Sequence, residues 1–350
     1  MKNLLMLFLI FSLSITNSQQ ENASKKYIPE GNLEEIIFYV REKDNSNEHF
    51  ARSAQILKRD NAKANIIICH GFMCDKRDIS FLRSIFKNFN IITFDFRAHG
   101  QIVIDDQYCT FGKNECHEVM GITHYIKSRE DLKSLPTFVY GFSMGAVAAI
   151  MAQAKDPNLF DAGIYDCPFE SSELVLKRGL DNLKFNVFGY EFHLPGRTFL
   201  YKYAYHPIVQ SILKITLKTI AKLDATEVNT CICPVNPMIA IRKFNKPSFF
   251  IVCRNDDKAP IEAVKKVYNG AKGYKRLWIT NGRRHFDSFF WNPEKYVYKI
   301  NAFYEKIIDK SYLKSPKSKI LEDAPDSTAK KNKKAEIILA NPNVNKIFPY

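Results

Sequence analysis

Ser143 stands at the centre of Gly141-Phe142-Ser143-Met144-Gly145, between an apolar run, Thr137 to Tyr140, and a small-residue stretch, Ala146 to Ala154. A strand, a tight turn and a helix with serine at the apex lifts the hydroxyl clear of its surroundings. Flanking glycines leave room where a Cβ would meet the strand or the helix. A serine hydroxyl is a weak nucleophile at neutral pH, so it needs a base within reach and a third group to hold that base. Candidates follow in the order acid, then histidine. Ser248 to Cys253 runs into Asp256 and Asp257, and Lys275 to Ile279 runs into Gly282-Arg283-Arg284-His285-Phe286-Asp287. His285 directly follows an apolar run, whereas His193 and His206 fall in a separate insertion. Asp256 is favoured as the acid, because it stands four positions before Pro260, where the loop turns into a helix. Asp257 and Asp166 are rivals. The chemistry would be acyl transfer: Ser143 attacks a carbonyl, His285 takes the proton and Asp256 holds the imidazole. The oxyanion needs two backbone donors. The N–H groups of Met144 and of Phe72, in the loop His70-Gly71-Phe72, are the candidates, with His70 shaping that loop rather than acting as a base.

Such residues must be presented by a scaffold, and the chain carries its pattern. Short, almost wholly apolar runs recur at Asn65 to Cys69, Asn90 to Phe94, Thr137 to Tyr140, Ala162 to Tyr165, Ser248 to Cys253 and Lys275 to Ile279. Helical spacing separates most of them: Ile79 to Phe89, Glu118 to Lys127, Ala146 to Ala154, Pro260 to Asn269 and Pro293 to Ile308. Apolar strands alternating with helices predict an α/β fold, a parallel sheet covered on both faces, with ligands beyond the carboxyl ends of its strands. Two earlier strands, Glu35 to Arg41 and Ala51 to Lys58, precede this alternation. Phe169 to Pro234 interrupts it and reads as a mostly helical cap rich in aromatics, among them Phe185, Phe188, Tyr190, Phe192, Phe199, Tyr201, Tyr203 and Tyr205.

The ends of the chain differ from its middle. Lys2, the apolar Leu4 to Leu13 and Thr16-Asn17-Ser18 have the form of a secretory signal peptide over residues 1–18; an uncleaved N-terminal tether is the alternative. Residues 19–33 read as a flexible lead-in, 34–310 as the folded body with its cap at about 170–233, and 311–350 as a polar, largely disordered tail. No other segment is apolar enough to span a membrane. The net charge is +14, but the lysines are spread along the chain and no nucleic-acid-binding spacing appears, so a solvated surface is the reading and no nucleic-acid partner is expected. Among the eight cysteines, Cys109 and Cys116 are placed to close one loop, and Cys69, Cys167 and Cys253 read as buried thiols. No paired CxxC or HExxH spacing exists, so neither a metal nor a cofactor is expected.

Five motifs, HGF at 70–72, DFRAHG at 95–100, GFSMG at 141–145, the DDKAP stretch ending at Pro260 and GRRHFD at 282–287, match the alpha/beta-hydrolase superfamily in order and spacing. The chain resembles its serine-aminopeptidase-like and monoacylglycerol-lipase-like branch over about Glu34 to Lys310. The resemblance implies an eight-stranded, mostly parallel sheet with a cap after the sixth strand. It carries over Ser143, Asp256 and His285 as nucleophile, acid and base, and Phe72 and Met144 as oxyanion donors. It makes Asp95 and Arg97 structural braces and favours a structural role for Asp166. Three positions depart from the pattern: Ile102 where Ser or Thr is usual, Cys253-Arg254 where the strand usually ends in Gly, and Arg284 where Gly often precedes the histidine. The expected activity is an exported serine hydrolase acting on a lipid-like or aromatic ester. A serine peptidase or aminopeptidase is the alternative on the same residues, and a non-catalytic binding protein the alternative on the same fold.

Overall fold

The computed structural model describes residues 31–42, 44, 46–86, 88–102, 107–182, 184–187, 190–212 and 228–325. The expected signal segment, nearly all of the lead-in and the tail from 326 onward lie outside them.

The six apolar runs form strands that are buried, apart from the partly exposed Lys275, because helices cover both faces. In chain order the strands are β1 (Asn32–Arg41), β2 (His49–Lys58), β3 (Asn65–Cys69), β4 (Asn90–Phe94), β5 (Thr137–Phe142), β6 (Ala162–Asp166), β7 (Lys184–Val187), β8 (Tyr190–His193), β9 (Ser248–Cys253), β10 (Lys275–Thr280) and β11 (Ser318–Glu322). Nine of them make one sheet in the order β1-β2-β4-β3-β5-β6-β9-β10-β11. β1 and β2 are antiparallel to each other, β2 is antiparallel to β4, and from β4 to β11 all pairs are parallel. The helices covering it include α1 (Cys116–Ser128), α2 (Met144–Lys155), and, beyond the cap, Ile261–Gly270 and Pro293–Ile308. Among the described residues no helix is long and apolar enough to cross a membrane.

Four features differ from the sequence-based expectation. The sheet has nine strands rather than eight, because the polar segment after Lys310 is not all tail: β11 runs parallel beside β10, from Lys275↔Ser318 to Ile279↔Glu322. Beyond it Asp323 accepts the indole N–H of Trp278 at 2.9 Å and pairs with Lys295 at 2.6 Å. An edge strand has one exposed side, so it can be polar, and its charges discourage pairing with another chain. Among its described residues, the stretch Ile79 to Phe89 holds a 3-10 turn at Ser80–Ser84 and no longer helix, since the Arg59 guanidinium takes the carbonyls of Arg83, Phe86 and Phe89. The cap holds strands as well as helices: among its described residues, helices at Ser172–Asn182 and Arg197–Lys202 stand around the antiparallel hairpin β7–β8. Finally, all eight cysteines are free thiols. Cys109 and Cys116 do not bridge: Cys109 packs its sulfur 3.4 Å from that of Met144, and Cys116 opens α1 with its thiol on the carbonyl of Lys113 at 2.9 Å. Cys69, Cys167 and Cys253 are buried.

Candidate active site

β5 ends at Phe142 and α2 begins at Met144, which leaves Ser143 alone to reverse the chain. It does so at φ 51°, ψ −122°, a conformation a side chain adopts only under constraint. The constraint is visible on both sides. The Ser143 N–H donates to the carbonyl of Asp166 at 2.9 Å, tying the turn to the end of β6. A Cβ on Gly145 would sit 2.2 Å from the carbonyl oxygen of Cys69, and one on Gly141 2.7 Å from that of Gly145. These glycines are therefore required by backbone approach, and α2 lies directly on the end of β3.

Two loops at the same edge bring the partners. His285 accepts from the Ser143 hydroxyl through Nε2 at 2.8 Å and donates from Nδ1 to Asp256 Oδ2 at 2.8 Å. The other carboxylate oxygen of Asp256 accepts the backbone N–H groups of Lys258, at 2.9 Å, and Ala259, at 2.8 Å. Asp256 is buried, whereas Asp257 points to solvent. Asp166, the third acid considered, does not touch His285. Its Oδ2 accepts the Tyr296 hydroxyl at 2.5 Å, which is joined to Tyr140 at 2.7 Å, and its Oδ1 is buried without a partner. Burial pushes this carboxyl up to about 7.

The oxyanion candidates converge on the same corner. Met144 begins α2, where the first N–H groups have no carbonyl within the helix to bond. Phe72 lies in the turn after β3, and Gly71 beside it meets the Phe142 ring so closely that a Cβ would stand 2.6 Å from it. His70 donates from Nδ1 to the Gly71 carbonyl at 2.8 Å, accepts the Phe96 N–H at 3.0 Å through Nε2, and is pushed down to about 3 by burial. It is a neutral brace. Asp95 receives the Lys76 ammonium at 2.7 Å and the Lys76 N–H at 2.8 Å, and Arg97 pairs with Glu118 at 2.9 Å. Both are inside the body, not at the mouth.

The structure adds residues that the motifs did not single out. The Phe142 ring stacks on Phe286 with centroids 3.9 Å apart, so one ring joins the serine turn, the histidine loop and Gly71. His99 accepts the N–H of Met73 at 3.2 Å and donates to the Arg97 carbonyl at 2.7 Å, holding the far side of the Phe72 turn. The second position of GFSMG and the histidine of DFRAHG were the available signals. Cys167 also enters the site, its sulfur 3.9 Å from His285 Nε2. Burial raises its thiol well above the ordinary range, so it is a poor nucleophile beside Ser143. Among the described residues Cys167, Asp256 and His285 are the group close enough to share a metal. Both ring nitrogens of His285 are already committed, so a metal would displace the hydrogen-bonded chain rather than extend it.

Several charged residues resolve into structure. Glu170 is buried against Arg178 at 2.9 Å, and Glu173 accepts the Tyr201 hydroxyl at 2.7 Å. Arg254 pairs with Glu322 at 2.7 Å and Arg283 with Asp287 at 3.2 Å. In the cap, Leu180, Leu200, Ala204 and Val209 form a small core of their own, onto which Tyr201 packs. Tyr190, Phe192, Phe199, Tyr203 and Tyr205 remain exposed; the side chains of Phe185 and Phe188 lie outside the described residues.

No protein-family model matches the chain. YqkD, an uncharacterised protein of Bacillus subtilis, is 27% identical over 247 residues, 70% of this chain and 72% of its own. A monoglyceride lipase homologue of monkeypox virus is 24% identical over 240 residues, 64% of this chain and 82% of its own. Among solved structures, a Pyrococcus furiosus esterase superposes with a TM-score of 0.57 at 21% identity, over 79% of this chain and 91% of the other. A membrane phospholipase A gives 0.53 at 15% identity, over 88% and 99%.

Proposed function

We propose that this chain, which has the alpha/beta-hydrolase fold, is a serine hydrolase that cleaves a carboxylic ester through an acyl-serine intermediate. The observation that carries the reading is the continuous hydrogen-bonded chain from Ser143 through His285 to Asp256, with the serine held at φ 51°. In this reading His285 Nε2 removes the hydroxyl proton as Ser143 attacks the carbonyl carbon. The N–H groups of Met144 and Phe72 hold the oxyanion, an arrangement in which each donor lowers the barrier by about 3–4 kcal/mol. His285 then protonates the departing alcohol. Water, deprotonated by the same ring, releases the acid and restores Ser143. Asp256 keeps the proton on Nδ1 and so leaves Nε2 free to act as base.

A lipid-like or aromatic ester is the substrate class. The exposed rings of Tyr190, Phe192, Phe199 and Tyr203 on the cap suit an apolar substrate, and the viral relative is described as a monoglyceride lipase homologue. An aminopeptidase would need carboxylates to hold the substrate amine; of the cap's Glu170, Glu173 and Glu191, Glu170 pairs with Arg178, Glu173 with Tyr201, and Glu191 is not free either. Labelling with a fluorophosphonate probe tests the reaction. The wild type should label and Ser143→Ala should not; absence of labelling in the wild type, or equal labelling in both, rejects it. Nitrophenyl esters of graded chain length against aminoacyl nitroanilides then test the bond. Export rests on the Lys2, Leu4 to Leu13 and Ser18 pattern; a mature chain beginning near Gln19 in mass spectra of secreted protein is expected, and an intact Met1 would reject cleavage.

A further inference from the structure

The amino ends of the central strands carry a second concavity, far from the serine. It holds about 890 Å³, within the range of small-molecule sites. Pro136, Asp161 and Pro247 on its wall immediately precede β5, β6 and β9, whereas Ser143 follows the opposite end of β5. Five lysines line it, Lys63, Lys243, Lys246, Lys272 and Lys310, against the single carboxylate of Asp161.

These lysines do not form one charge run. They arrive from four separate segments: before β3, before β9, before β10 and after the helix that ends at Ile308. Asp161, whose Oδ2 accepts the N–H of Thr137 at 2.9 Å, supplies one negative charge against the five lysines. Lys63 approaches Glu305 at 3.8 Å with both side chains 52% exposed, a contact that water screens. Among the described residues no carboxylate pairs with the other four lysines. Gathering like charges around one space costs stability unless an anion enters. The floor, by contrast, is apolar, made by Phe138, Phe244 and Ile307.

We infer that this cavity binds a phosphorylated amphiphile, its phosphate among the lysines and its carbon chain against Phe244 and Ile307. The chemistry is shared by a free alkyl phosphate and by an anionic phospholipid headgroup. It also gives part of the +14 charge a place to act.

Titration calorimetry of the full chain with hexyl phosphate and with inorganic phosphate is the primary test, alongside flotation with phosphatidylcholine vesicles with and without phosphatidylglycerol. Saturable binding of hexyl phosphate is expected, about tenfold tighter than inorganic phosphate if two methylenes are buried. The triple variant Lys243→Gln/Lys246→Gln/Lys272→Gln should lose at least about tenfold, with a melting temperature that is not lowered and unchanged labelling of Ser143. Vesicle capture that requires phosphatidylglycerol and disappears in the triple variant assigns the headgroup as the source. Hexyl phosphate binding without vesicle capture assigns the free amphiphile. No saturable binding to the wild type, undiminished binding in the triple variant, or equal affinity for the two phosphates overturns the proposal.

Discussion

Replacing Asp256 by Asn tests the acid assignment through hydrogen-bond direction rather than bulk. Asp256 Oδ1 is pinned by the N–H groups of Lys258 and Ala259, at 2.9 and 2.8 Å, and Oδ2 faces His285 Nδ1 at 2.8 Å. In Asp256→Asn the amide oxygen must take the pinned position, because two donors point at it. The NH2 group is then forced toward Nδ1, which can only accept from it. The imidazole proton moves to Nε2 and faces Ser143, where the base is needed. Nothing changes in volume, yet the competent tautomer is lost, which is worth about 10⁴-fold in kcat or ~5.5 kcal/mol of barrier. Asp257, exposed beside it, should tolerate the same change within about twofold. The assay is steady-state hydrolysis of a nitrophenyl ester per mole of total protein, with fast fluorophosphonate labelling used separately to count and subtract traces of deamidated protein. A loss of less than about 100-fold in Asp256→Asn, or comparable losses at the two positions, refutes the reasoning.

Gly145→Ala should cost about 3 kcal/mol or more, since its Cβ would lie 2.2 Å from one backbone carbonyl oxygen and 2.5 Å from another; urea midpoints measure this, and an unchanged midpoint would show that the contact can relax. Asp166 makes stability depend on pH: its folded pKa, about 7, lies above the unfolded 3.8, so its contribution is complete below pH 3.8 and is lost as pH rises to about 7. That gap corresponds to about 4 kcal/mol, and Asp166→Asn should flatten the decline across this window; parallel wild-type and variant curves would sink the idea.

The parts of the fold that were legible in the sequence are those where burial leaves no choice. β3, β4, β5, β6, β9 and β10 are covered on both faces, so their runs are apolar at nearly every position and stand out without alternation. β11 is the opposite case: Ser318 to Glu322 has a free edge, Ile320 is half exposed, and composition alone makes it look like tail. The cap hairpin was missed for a similar reason, as Tyr190 to His193 is exposed along its length and carries no buried period. At the site, the positions of Ser143, Asp256 and His285 were readable because each follows an apolar run. The stack of Phe142 on Phe286 was not, since it joins rings 144 positions apart that no local pattern relates.

The choice between Asp256 and Asp166 shows what coordinates contribute beyond motif order. Asp256 follows β9 and Asp166 ends β6, its parallel neighbour, so both acids lie at the carboxyl ends of the strands. Asp256 accepts three hydrogen bonds, from Lys258, Ala259 and His285. Asp166 accepts one, from Tyr296, and leaves its second oxygen buried and unpaired, an environment that favours the neutral acid. A neutral acid cannot stabilise an imidazolium. It is thus the set of donors around each carboxyl, rather than its place in the chain, that separates the residue bonded to His285 from the one, pushed up by burial, that braces β6.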